Sequence, residues 1–133
     1  MSSVALESDS SLADFLGEFF AAGLPLTKSS IALAASLVGC AQSCYLTAFT
    51  VLNTNAAAQF VQLHDAQGVP ANGHVPMVSF TVPASSDKTV SYTLPGLKFL
   101  AGIVICNSST SATLTIGAAD CFFNVQSIPV TPG

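Results

Sequence analysis

Few side chains in this chain could carry chemistry: two histidines, four cysteines and seven carboxylates in 133 residues. His64 and Asp65 are adjacent, but neighbours on a strand point to opposite faces and cannot form a His–Asp relay directly. His74 follows in a loop rich in Gly and Pro, from which it can approach either one. Imidazole and carboxylate are common metal ligands, so His64, Asp65 and His74 could in principle hold an ion. Two histidines without a third specific ligand read more simply as a solvent-facing strand residue and a loop residue. Asp65, Asp87 and Asp120 fall in separate loops or strand ends and define no acid/base pair. Gly96, Gly102 and Gly117 are isolated and make no phosphate-cradling loop. These residues predict no enzyme, no cofactor and no metal.

The cysteines are Cys40, Cys44, Cys106 and Cys121. The gap between the first two is loose for a zinc knuckle, and neither member of the second pair has a Cys or His beside it. They read as buried thiols packing as small hydrophobes. A Cys106–Cys121 disulfide across adjacent strands is compatible with the spacing. The first residues are acidic and Ser-rich where a secretory signal needs a basic start, so synthesis in a reducing cytosol is the default expectation.

Half of the residues are hydrophobic, but only 8% are charged, against about 25% in ordinary globular domains. Arg and Trp are absent, and Ser and Thr together supply 28 residues. So few charges leave little to keep copies apart, which predicts a subunit whose faces are covered in an assembly. A net charge of −4 with three lysines argues against a nucleic-acid partner, because phosphates need a basic stripe. The charge is uneven: Glu7, Asp9, Asp14 and Glu18 are met only by Lys28 in the first 28 residues.

The elements that must position these residues are mostly strands. The exception opens the chain. Leu12, Phe15, Leu16, Phe19 and Phe20 follow the i, i+3, i+4, i+7, i+8 spacing of one helical face. Ser11 and Asp14 resemble a capping box, and Gly23 and Pro25 end the segment. This stripe is expected to pack on its own domain or to dock on a partner, and the spacing alone does not choose. Ser29 to Ala41 is apolar, made of small residues and too short to cross a bilayer, which needs about 20 apolar residues. It reads first as a strand or extended linker and second as a buried helix.

From Cys44 onward the period is two. Cys44–Leu52 and Gln59–Asp65 flank the Asn53-Thr54-Asn55 turn and read as a hairpin, with Val61 and Leu63 opposite Gln62 and His64. Ala66–Pro76 is a loop. Val78, Phe80 and Val82 share a face, and Val90, Tyr92 and Leu94 are expected to point inward. Phe99 to Cys106 is a nearly unbroken apolar run, expected as one central strand apolar on both faces. Asn107–Ser111 breaks the chain, and Cys121 to Val125 closes it with another Phe-rich strand. Seven or eight short strands at turn spacing predict an all-β fold, an antiparallel β-sandwich of jelly-roll-like type with a short N-terminal helical or extended arm. Residues 1–43 are the expected arm (amphipathic segment 11–23 and linker), and 44–133 the sandwich.

The run GIVICNSSTSATLTIGAADCFFNVQ, preceded by LPGLKF, and the upstream NTNAAAQFVQLHDAQGVPANGHVPMVSFTV resemble small all-β virion proteins of tailed bacteriophages, over about Ala48 to Ile128. Such proteins are typically capsid cement or decoration proteins that sit over joints between capsid subunits. The resemblance implies a virion structural protein at the capsid surface, assembled in the host bacterial cytoplasm. Its implied partners are the major capsid protein and itself, as a homotrimer first and a dimer second, with no nucleic acid and no membrane. The alternative is a tail or fibre sandwich module that binds a host-surface glycan or protein. The shared stretch excludes the arm, whose Leu12, Phe15, Leu16, Phe19 and Phe20 are the expected partner-binding residues.

Overall fold

The computed structural model describes residues 25–130. The arm stripe and the capping pair Ser11/Asp14 lie outside the described residues, as does the end of the C-terminal tail. Nine strands are described: β1 (Leu26–Ser29), β2 (Ser36–Cys40), β3 (Cys44–Asn53), β4 (Gln59–Asp65), β5 (Val78–Val82), β6 (Ser86–Ser91), β7 (Leu97–Phe99), β8 (Ile103–Ser108) and β9 (Cys121–Pro129). They form two antiparallel sheets packed as a sandwich. One sheet has the order β1-β9-β3-β6, with β7 also paired to β3; the other has the order β2-β8-β4-β5.

The period-two pattern sends one set of side chains inward from each sheet. Phe49, Val51, Phe123 and Val125 from the first sheet meet Val61, Leu63, Ile103 and Ile105 from the second in one core. Each of these is essentially removed from solvent. At about 25 cal/mol per Å² of apolar surface, such burial is the main term holding the sheets together.

Several expectations change. Cys44–Leu52 and Gln59–Asp65 do not pair as a hairpin: β3 belongs to the first sheet and β4 to the second. The connection is an inter-sheet crossing fixed by Asn53, whose Nδ2 donates to the Ala57, Val82 and Pro83 carbonyls. The Phe99–Cys106 run is not one strand. It breaks at Leu100–Gly102 into β7 and β8, which lie in different sheets. Asp65 stabilises that break by accepting hydrogen bonds from the backbone N–H groups of Leu100, Ala101 and Gly102. A Cβ at residue 102 would collide with the Cys40 and Ala66 carbonyl oxygens, so the crossing requires glycine there. Of the trio Val90, Tyr92 and Leu94, the first two pack on the core, but Leu94 is exposed in the turn beyond β6.

The sheets begin before Cys44. Ser29–Ala41 contains β2, a strand that pairs with β8, and β1 pairs with β9 from Leu26 onward.

Candidate assembly surface and the polar clusters behind it

The two outer faces of the sandwich differ. Outside the second sheet, Val104 and Cys106 of β8 are roofed by Leu114, also buried, from the loop after β8. That loop is held to the 66–77 loop by Gly73 N–H donating to Leu114 O and Leu114 N–H donating to His74 O. It is pinned to the sheet by Gln62, whose Nε2 donates to the Thr110, Ser111 and Thr113 carbonyls at 2.7, 3.2 and 3.0 Å. All six residues of β8 are therefore buried, which explains why its sequence shows no alternation.

Gln62 also settles the histidines. With its amide nitrogen turned to three carbonyls, its Oε1 faces His64 Nε2 at 2.8 Å, so that nitrogen carries the proton. His64 Nδ1 is then an acceptor, and it receives Nδ1–H of His74 at 2.7 Å. His64 is 0% exposed; the expectation of a solvent-facing residue fails because two loops, which periodicity does not reveal, cover that face. Burial, and then the charge of His74, depress its pKa to about 4. His74 thus approaches His64, and Asp65 is engaged by the backbone on the other side of the strand. Among the described residues no group of three or more His, Cys, Asp or Glu is placed to hold a metal.

A second polar cluster fills one end of the sandwich between the sheets. Asp120 accepts from Asn55 Nδ2 at 2.7 Å, Gln59 Nε2 at 2.8 Å and Asn107 Nδ2 at 3.0 Å. Each amide is oriented by a further contact: Asn55 Oδ1 accepts from Ala57 N–H, Gln59 Nε2 also donates to Asn53 Oδ1, and Asn107 Nδ2 also donates to Ala118 O. Burial raises the Asp120 pKa, but the amide donors led by Asn55 and Gln59 outweigh it and leave it below the ordinary carboxylate value. With every donor aimed inward, the cluster is a cradle for an anionic carboxylate, not a cation site. It clamps β3, β4, β8 and β9 together. Sequence reading missed it because its members come from four separate segments.

All four cysteines are free thiols. Cys106 faces the roofed outer side and Cys121 the core, so the two thiols lie on opposite sides of the second sheet. Burial pushes Cys106 up to about 12. Burial, followed by the neighbouring Asp120, does the same to Cys121. Thiols held protonated in this way are poor nucleophiles.

Among the described residues, none roofs the outer face of the first sheet. Strand register lays three rows across it. Thr27, Gln126, Ala48 and Ser91 form one row, and Ser29, Asn124, Thr50 and Thr89 the next. Asn124 Nδ2 donates to Ser29 Oγ at 2.7 Å, and the hydroxyls of Thr50 and Thr89 are 3.0 Å apart. These two rows cross four strands without a charge. The third row contains Phe122 and Leu52, each 40% exposed, and ends at Asp87. Two of the three lysines stack on rings, Lys98 Nζ at 4.5 Å from the Tyr45 centroid and Lys88 Nζ at 5.5 Å from that of Phe80. No helix among the described residues is long and apolar enough to cross a membrane.

No family model and no curated protein matches the chain. A solved structure of the Tobacco streak virus coat protein resembles it with 10% sequence identity and a TM-score of 0.41, over 83% of this chain and 88% of that one. A likeness of that order does not extend to function.

Proposed function

We propose that the chain is a structural protein of a virion, a capsid cement or decoration subunit that seats over joints between major capsid protein subunits and stabilises the shell. The observation that carries the proposal is the outer face of the first sheet, uncovered by any described residue: two four-strand rows of Ser, Thr, Asn, Gln and Ala with no charge. Covering a face of hydroxyls and amides requires new hydrogen bonds but no desolvation of ions, whose burial is the costly case. The sequence resemblance to phage cement proteins supports the same role. The subunit associates with itself, as a trimer before a dimer, and the N-terminal stripe Leu12, Phe15, Leu16, Phe19 and Phe20 is a further apolar contact. Two linked contacts raise avidity through effective concentration.

The glycan-binding alternative has less support. Among the described residues Phe122 is the one exposed aromatic side chain, whereas sugar recognition favours clustered rings.

Quantitative mass spectrometry of purified particles tests the proposal. A copy number comparable to that of the main shell protein is expected. A handful of copies per particle, or absence from particles, overturns it.

A further inference from the structure

Two of the four thiols meet where β2 gives way to β3. Cys40 ends β2 and Cys44 begins β3, so only residues 41–43 join a strand of the second sheet to a strand of the first. Register turns both side chains inward. Leu37, opposite Ile105, packs on the core, and Val38, opposite Val104, packs on the roofed outer side. Strict alternation would send Cys40 outward with Val38. The register shifts between Val38 and Cys40, however, so Cys40 lies opposite the core residue Ile103 and packs on the core itself. Glycine suits the shift at residue 39, where a Cβ would stand 2.8 Å from Val125 Cγ1. Cys44, the cross-strand partner of Phe99, is fully buried in the same core.

Facing inward from opposite sheets across a three-residue arch, the two sulfurs come together. The Cys44 thiol is hydrogen-bonded to that of Cys40 and feels its charge, while Cys40 Sγ donates to Gln42 O at 3.5 Å. Burial, and then the hydrogen bond to Cys40, hold Cys44 protonated. Cys40 is half-buried beside the exposed Ala41 and Gln42, so solvent reaches this member of the pair. Cys106 and Cys121, separated by the second sheet, have no such arrangement.

We propose that Cys40 and Cys44 are a redox-modified pair that closes to a disulfide and staples the second sheet to the first at this crossing. The crossing from Phe99 to Ile103 runs beside it, since Phe99 pairs with Cys44 and Ile103 with Cys40. The staple therefore fixes the end of the sandwich where two connections leave the core together. In a reducing cytosol the thiols stay open, and oxidising surroundings close them, whatever surface the subunit occupies.

A small-molecule disulfide is a sufficient oxidant. The Cys40 thiolate attacks one of its sulfurs, breaks the S–S bond and expels a thiolate, leaving a mixed disulfide on Cys40. Cys44 then loses its proton and attacks Cys40 Sγ, which expels the second small thiolate. The chain is oxidised by two electrons, and the reagent is reduced to two thiols that take up the two protons. The second step is the slow one, because it needs a proton off a buried, hydrogen-bonded thiol. For the same reason the bond resists reopening, since a thiolate of high pKa is a poor leaving group.

The test treats the folded full chain with glutathione disulfide and follows it by intact mass and peptide mapping. A mixed disulfide on Cys40 is expected first, replaced by a Cys40–Cys44 bond with the loss of two hydrogens from the chain. Cys40→Ser should block both species, and Cys44→Ala should stop at the mixed disulfide. Closure of the natural chain should raise its urea midpoint, and dithiothreitol should return it, because a cross-link restricts the unfolded state. That shift needs no variant, so it stands even where replacing buried Cys44 disturbs folding. A mixed disulfide that never resolves, a bond to Cys106 or Cys121, or a bond between chains would overturn the proposal. So would closure only in urea, no reaction at all, or a lowered midpoint after closure.

Discussion

His64 and His74 face one another through their Nδ1 atoms at 2.7 Å, and the Gln62 amide leaves only one proton arrangement that satisfies both rings. A proton added to His64 Nδ1 would meet the N–H of His74. Unfolded, His64 titrates near 6.5, and in the fold near 4. Between those values the unfolded state binds more protons, so its contribution is complete above about pH 6.5 and falls as the pH drops toward 4. The loss is on the order of 3 kcal/mol at about 1.36 kcal/mol per pH unit. Urea midpoints measured from pH 7 to pH 4 should decline for the natural chain. In His74→Ala the Nδ1 partner is gone, and the decline should be shallower.

Asp120→Asn tests the carboxamide cradle. The new amide would turn a donor toward Asn55, Gln59 or Asn107, all of which already donate to that position. A cost of roughly 2–3 kcal/mol is expected, the scale of losing hydrogen bonds to a charged acceptor. Because the folded carboxylate titrates low, the natural chain holds this contribution above the ordinary Asp range and loses it as the pH falls through the folded value. At pH 7 the variant should therefore show its full deficit in denaturant unfolding. Equal stability of the two proteins would remove the cradle from the account.

Leu114→Ala should open the roof over β8. Leu114 is buried against Val104 and Cys106, and truncating a buried Leu costs about 2–5 kcal/mol. The specific sign is at Cys106, which should be alkylated by a thiol reagent faster than in the natural chain, while core-facing Cys121 keeps its rate. Equal acceleration at both thiols would mean global destabilisation instead of a lifted loop.

Ala48→Lys with Thr50→Lys places two charges in the middle of the uncharged rows. Both positions lie on the outer face, so the melting temperature should hardly move. Attachment to particles should weaken by roughly a hundredfold or more, the scale of leaving charges buried without partners. Unchanged attachment would take this face out of the interface.

Much of the sandwich was legible because its inner residues repeat at period two: Val61/Leu63 and Val78/Phe80/Val82 share the faces that pack on the core. Period two does not say which sheet a strand joins. Asn53-Thr54-Asn55 looks like a tight hairpin turn from β3 to β4, yet it spans the gap between the layers. The apolar run around Gly102 hid a second crossing, since the side chains on both sides of it are equally apolar. His64 looked solvent-facing because its cover comes from loops joined across the fold by Gly73, His74 and Leu114. The open face was legible only as a scarcity of charge, and strand register was needed to show where the uncharged residues gather.

β9, the last of the described strands, occupies the slot between β1 and β3. During synthesis β3 can take up β6 and β7 as they follow it, but its other edge and β1 wait for residues 121–129. The first sheet is thus completed only by a strand distant in sequence from both of its neighbours, a pairing of the kind that slows folding. Until then the long edge of β3 is open to the closing strand of another chain, and exchange of that strand is the misassembly this topology invites at high expression.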